Sequence, residues 1–227
     1  MKRTTLHIFL SVLPLLSFAQ KHDYVWIVGD NNSLTDSTRG GSVINFDSSP
    51  PNVYYNYREL NMFSSNSSVC NINGILQFYS NGCDVAGIDD TLLENGEDIN
   101  PGTAHQIKCD QENDGYAGGY QSMLTLPLPE DSNVYYLFHK RVSITFNPVE
   151  VKTDRLFYSR IDMSQNFGRG SVMEKNVSVM SGDISYGELT AVKHANGKDW
   201  WLVTPKRNSN EFYIFRFTKE GIVDTVV

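Results

Sequence analysis

Four Asn-Gly pairs punctuate the chain, at 73–74, 81–82, 95–96 and 196–197, and they constrain its fold more than any other feature. A two-residue type I′ turn needs positive φ at both central residues, and Asn followed by Gly meets that need best. Short runs rich in aromatic and β-branched residues recur along the chain, at 24–28, 43–46, 75–79, 123–126, 134–138, 156–161, 189–192, 200–203 and 212–217. Bounded by Gly, Pro, Asn and Asp, such runs read as strands. No window sustains an i, i+3, i+4 apolar pattern between capping residues, so helix is not expected. The chain therefore reads as all-β, an antiparallel meander built from hairpins.

The C-terminal third shows the pattern most clearly. Asn196-Gly197 separates 189–194 from 199–204, residues 207–210 turn the chain into 211–218, and 219–221 turn it again into 222–227. In the run 212–217, Tyr213, Phe215 and Phe217 share one face, while Phe212, Ile214 and Arg216 share the other. Both faces are largely apolar, so this strand is expected between two neighbouring sheets. A propeller or a sandwich would supply them.

The first residues have another purpose. Lys2 and Arg3 precede a largely apolar run, 6–16, and Ser17-Phe18-Ala19 then places small residues where a signal peptidase reads. That is the layout of a signal peptide over 1–19. The run is shorter than the roughly 20 apolar residues needed to span a bilayer core, and no later stretch is long enough. The chain is expected outside the cytoplasm, secreted or at the outer cell surface. Its net charge of −7 is spread over interspersed acids and bases. No Lys/Arg cluster offers a nucleic-acid footprint.

Three cysteines, Cys70, Cys83 and Cys109, follow the leader. Export permits disulfides. With two-residue turns at 73–74 and 81–82, Cys70 lies opposite Gln77, Cys83 opposite Ser80, and Ser80 opposite Ser67. Cys70 and Cys83 are then three rungs apart, on the order of 10 Å, which is too far to bond. Cys83–Cys109 is the preferred pair, with no disulfide as the alternative.

The segment 84–119 is acidic and poor in strand signal, and reads as an excursion between sheets tied down by Cys109. Within it, Asp110, Glu112 and Asp114 alternate before Gly115, like the first half of a calcium loop. Gln121 stands where the bidentate Glu would be, so a solvated polar turn is the competing reading. His105, His139 and His194 share no close-spaced motif that marks a metal site. Trp200 and Trp201 are adjacent and point to opposite faces of a strand. One is core; the other is a candidate to line a surface for sugar or protein. Neither a nucleophile elbow, a zinc-protease motif, a phosphate loop nor a sialidase-type Asp box is found.

Several phrases, in order, resemble large secreted β-propeller proteins of Bacteroidetes. Residues 73–82, NGILQFYSNG, resemble the phrase NGNLLFYTNG, and 189–201, LTAVKHANGKDWW, are similar to LTAVKHANGRDWW. Residues 121–127, 133–139, 156–164 with 168–172, and 209–213 continue the match. The resemblance implies four-stranded blades, about three to four of them over 20–227, in an incomplete propeller that forms the N-terminal portion of a longer protein. It also implies a surface or secreted protein whose relatives include type IX secretion and gliding-motility proteins.

Taken together, the chain is expected to be a non-enzymatic interaction or scaffold module with no catalytic residues and no cofactor, binding a surface protein or a glycan. The alternative is a secreted carbohydrate-active enzyme or glycan-binding propeller that uses the acidic segment 84–119, with Asp89, Asp98, Asp110 and Asp114 as its acids.

Overall fold

The structure, a computed structural model, describes residues 21–29, 41–62 and 65–226. The expected signal peptide, 1–19, lies outside the described residues. Among them the chain is all-β, in four antiparallel sheets, none closed on itself, each a meander in chain order. Sheet I holds β1 (Val25–Val28), β2 (Ser42–Asn45) and β3 (Asn52–Tyr55). Sheet II holds β4 (Ser67–Cys70), β5 (Leu76–Ser80) and β6 (Val85–Gly87). Sheet III holds β7 (Met123–Pro127), β8 (Val134–Phe146), β9 (Val149–Asp162) and β10 (Ser171–Ile184). Sheet IV holds β11 (Thr190–Lys193), β12 (Trp200–Pro205), β13 (Phe212–Thr218) and β14 (Gly221–Val226).

The Asn-Gly pairs do mark turns, but not of the expected type. At 73–74, 81–82 and 196–197 only the glycine has positive φ, and at 95–96 only the asparagine does. Around Gly74 and Gly197 the glycine N–H bonds back to the carbonyl three residues earlier, Asn71 and His194. At Gly74 the Asn71 N–H to Ile75 carbonyl bond closes a three-residue loop with a bulge beside it, and at Gly197 the His194 N–H to Asp199 carbonyl bond closes a four-residue loop. The extra bulge residue sets Cys70 opposite Leu76, not Gln77, while Ser67 and Ser80 pair as expected. Cys83 is not a strand residue facing Ser80; Ser80 pairs with Val85, and 81–84 form the loop. There the Asn81 side-chain oxygen accepts from the N–H groups of Cys83 and Asp84. Asn side chains favour such local turns over a bare two-residue reversal.

Successive sheets share apolar cores. Val25, Ile27 and Val43 of sheet I meet Cys70, Tyr79 and Ala86 of sheet II. Val69, Phe78 and Val85 of sheet II meet Tyr135, Leu137 and Ile161 of sheet III. Tyr136, Phe138 and Leu156 of sheet III meet Leu202, Phe215 and Phe217 of sheet IV. Each such buried side chain contributes roughly 1.5–3 kcal/mol of transfer free energy. Strand β8 serves two of these cores, because Tyr135 edges against Phe78 while Tyr136 packs on Phe217.

Sheet IV ends this series, which corrects the expectation for β13. Phe215 and Phe217 are fully buried, but Phe212 is 48% exposed. Arg216, on the same face as Phe212, pairs with Asp199 at 3.0 Å and Asp224 at 3.6 Å. Among the described residues, only one face of β13 is fully covered. Sheet I is alike at the other end, with Trp26 and Val53 exposed.

The segment 84–119 is less of an excursion than expected. Its start is β6, and 91–96 return alongside, bridging Ala86 to Leu92 and Glu94 to Ser171. Gly96 is required there, since a Cβ would come within 2.6 Å of the Val85 carbonyl oxygen. A helix appears where none was expected: Thr103–His105 runs into a π-helical turn, Gln106–Gln111. So short a helix does not hold itself. Ala104 packs with Cys83, Tyr116 and Val142, and these tertiary contacts hold it.

Gly82 tests this architecture. It has φ +81°, and an added Cβ would lie 2.7 Å from that of Tyr116. Gly197 has φ +72° with nothing near. Gly197→Ala should cost about 1–2 kcal/mol for the left-handed backbone alone. Gly82→Ala should cost about 1–3 kcal/mol more through overpacking. Urea denaturation of the two variants measures the difference; equal costs would contradict this packing.

Candidate functional site

The first strand of every sheet, β1, β4, β7 and β11, is an edge strand. β1 adjoins β4, and β4 adjoins β7. The Ser68 hydroxyl donates to the Val25 carbonyl at 2.8 Å. The Ser67 and Thr125 hydroxyls meet at 2.8 Å across β4 and β7. Small hydroxyl residues allow these edges to approach where bulky ones would hold them apart.

Between β4, β7 and the β11–β12 hairpin lies a cavity of about 310 Å³, whose lining includes Ser67, Thr125, Leu124, Trp200, His22 and Asp23. A second, of about 320 Å³, shares His22 and Pro127 and reaches Glu130, Asp131, Lys193 and Lys198. His22 Nδ1 is 2.7 Å from the Cys70 carbonyl, an acceptor only, so Nδ1 carries the hydrogen and Nε2 is left as an acceptor. The Lys193 ammonium lies 3.8 Å from the centre of the Trp200 ring, and burial lowers its pKa. The Trp200 indole N–H is buried and finds no hydrogen-bond partner among the described residues.

Trp200 and Trp201 divide as adjacent strand residues must. Trp200 packs against the core between sheets III and IV. Trp201 lies on the opposite face, its ring 5.1 Å from that of His194. His194 in turn accepts the Asn196 N–H within the hairpin turn.

Cys83 and Cys109 lie at disulfide distance, with Cα atoms 5.7 Å apart, and Cys70 is free and buried. The calcium-like acids separate. Asp110 faces His105 Nε2 at 3.4 Å, while Glu112 and Asp114 both pair with Lys108. The π-helical turn fans these side chains outward, so they share no centre. Among the described residues no three His, Cys, Asp or Glu side chains are placed to hold a metal ion.

Of the other acids, Asp98 joins Asp110 at His105 Nε2, at 3.7 Å. His105 is buried and directs Nδ1–H at the Ile99 carbonyl. Asp89 instead binds the Thr91 hydroxyl, so Asp89 and Asp114 stand apart from this pair. No family model, curated protein or solved structure matches this chain.

The sequence reading missed a buried polar chain. The Asn100 amide donates to the Gly82 carbonyl, so its oxygen accepts from His139 Nδ1–H at 2.7 Å. His139 Nε2 then accepts from the Ser159 hydroxyl, whose oxygen accepts the Asn176 N–H. The Asn176 side chain closes the circuit on the Asn100 N–H and the Asp98 carbonyl. It reaches them from a bulge in β10, where Asn176 has φ 58°. Neither the bulge nor the pairing carries a sequence signal beyond an isolated polar residue in an apolar run. Arg58 was missed likewise: it is buried, pairs with Asp90 and lies over the Tyr79 ring.

Burial holds the His139 pKa down to about 3, against 6.5 ordinarily. Between these values the unfolded chain takes a proton that the folded one refuses. Stability should be intact above pH 6.5 and fall below it, by up to about 1.4 kcal/mol per pH unit. His139→Gln should remove that part of the slope and cost about 1–3 kcal/mol at pH 7. Urea melts of both proteins from pH 7 to pH 4 measure this, and unchanged slopes would refute it. Separately, the Cys83–Cys109 link closes a loop of sequence separation 26. Cys109→Ser should cost about 3 kcal/mol, and non-reducing peptide mapping should find the linked pair with Cys70 free.

Proposed function

We infer that the chain is a secreted or cell-surface interaction module, non-enzymatic and propeller-like, with sheets I to IV as successive blades of an open array. The adjoining first strands carry this reading. Blades of a propeller pack in chain order around their first strands, and the β1–β4 and β4–β7 contacts with cores shared between successive sheets support that reading. A cysteine pair at disulfide distance favours an oxidising compartment, and no helix among the described residues is long and apolar enough to cross a membrane. The phrases that resemble secreted Bacteroidetes surface proteins, some of whose relatives use type IX secretion, support the same assignment. Its partner is a surface protein or a glycan.

A second reading, a secreted carbohydrate-active enzyme, draws on one observation: Asp98 and Asp110 flank the same imidazole nitrogen. Paired carboxylates are what glycoside hydrolysis needs. Neither acid belongs to the groove at the first strands.

Both readings meet one experiment. The secreted chain is screened against arrays of glycans and outer-surface proteins, and against the same glycans for turnover. The module reading expects binding without turnover, unaffected by Asp98→Asn or Asp110→Asn. Turnover abolished by either substitution would replace it with the enzyme reading, and absence of any binding would remove it.

A further inference from the structure

The cavity between β4, β7 and the β11–β12 hairpin keeps polar capacity in reserve. The Ser67–Thr125 pair consumes one hydroxyl hydrogen between its two oxygens, so one O–H and several lone pairs remain. His22 spends Nδ1–H on the Cys70 carbonyl and retains Nε2. Trp200 lines the cavity with ring carbon, since its indole nitrogen is itself buried. Asp23 adds a carboxylate, and no Lys or Arg is among the residues that line this cavity.

These groups exclude most ligand classes. A phosphate or carboxylate would face Asp23 here and Glu130 and Asp131 in the adjoining cavity, where Lys198 is paired with Glu130 and Lys193 is held over the Trp200 ring. A hydrocarbon would bury the hydroxyls and the imidazole against nothing, at the cost of their hydration. A sugar suits all of them, since each hydroxyl both donates and accepts and its C–H face packs against an aromatic ring. The volume, about 310 Å³, is at the lower end for small-molecule sites, and the adjoining cavity through His22 and Pro127 continues it.

We propose that this groove binds a neutral saccharide, with Trp200 packing on the sugar ring and Ser67, Thr125 and His22 hydrogen-bonding its hydroxyls. The proposal rests on the interaction-module reading and gives that module a ligand class. Trp201, on the opposite face of the same strand, takes no part.

The test is calorimetric and fluorescence titration of the full chain with a panel of neutral oligosaccharides, an anionic uronate oligomer and an unstructured polar peptide. At least one neutral oligosaccharide should bind and perturb tryptophan emission. Trp200→Phe should weaken that binding about tenfold or more, and Thr125→Val by several-fold, while Trp201→Phe leaves it unchanged. Ser67→Ala replaces Trp200→Phe as the deciding variant if the latter fails to melt cooperatively. Tighter binding of the uronate or the peptide would overturn the ligand class. Oligosaccharide binding indifferent to Trp200, Ser67 and Thr125 would overturn the groove but leave the module reading standing. Failure of every probe here, with a surface protein still captured in the array, would overturn the saccharide proposal alone.

Discussion

Strand β8 is the beam on which the described structure rests. From Val134 to Lys140 every residue is buried, although successive side chains point to opposite faces. One face sends Tyr135 and Leu137 into the core shared with sheet II, then His139 into the polar chain that holds the loop around Asn100. The other sends Tyr136 and Phe138 into the core shared with sheet IV. Lys140 follows, its ammonium bonded to the Ser185 and Gly187 carbonyls in the link between the two sheets. Apolar residues thus fasten the neighbouring sheets, and the polar pair that follows fastens their connections. Burial pushes the Lys140 pKa down to about 8, against a smaller opposing pull from Glu188, and its charge is held by the Ser185 and Gly187 carbonyls with the Ser185 hydroxyl.

Much of the all-β character was legible because the apolar runs that became β5, β8, β9, β12 and β13 are long and aromatic. What escaped notice were strands whose pairing depends on something other than apolar alternation. β4, Ser-Ser-Val-Cys, entered only through the hairpin register across 73–74, and its two serines make side-chain contacts to β1 and β7. β10 is interrupted by several register shifts, which break its period and let Lys175 and Asn176 reach residues 97–100. The Asn-Gly pairs located turns correctly yet mistook their geometry. Positive φ at the glycine alone serves a bulged hairpin as well as positive φ at both positions serves a tight one.

The site was less legible than the fold. Adjacent Trp200 and Trp201 had to part across a strand, and they do. Which of them lines a cavity depended on where β7 and β4 lie, and that is a tertiary fact. Ser67, Thr125 and His22 have no mutual spacing to betray them, being brought together only by the convergence of first strands. The acidic run at 110–114 misled for the opposite reason. Its spacing resembles a ligand loop, but Lys108 and His105 draw its carboxylates apart.

Because each sheet is one stretch of chain that begins at an edge strand, its neighbours in space are also its neighbours in sequence. Nothing threads back from sheet IV to sheet I among the described residues. Such an arrangement behaves like a row of tiles, in which stability accrues interface by interface and not all at once. Duplication or loss of a whole meander by recombination would disturb only the two junctions it touches. The number of sheets is therefore free to drift in evolution, while the grip between any two of them is not.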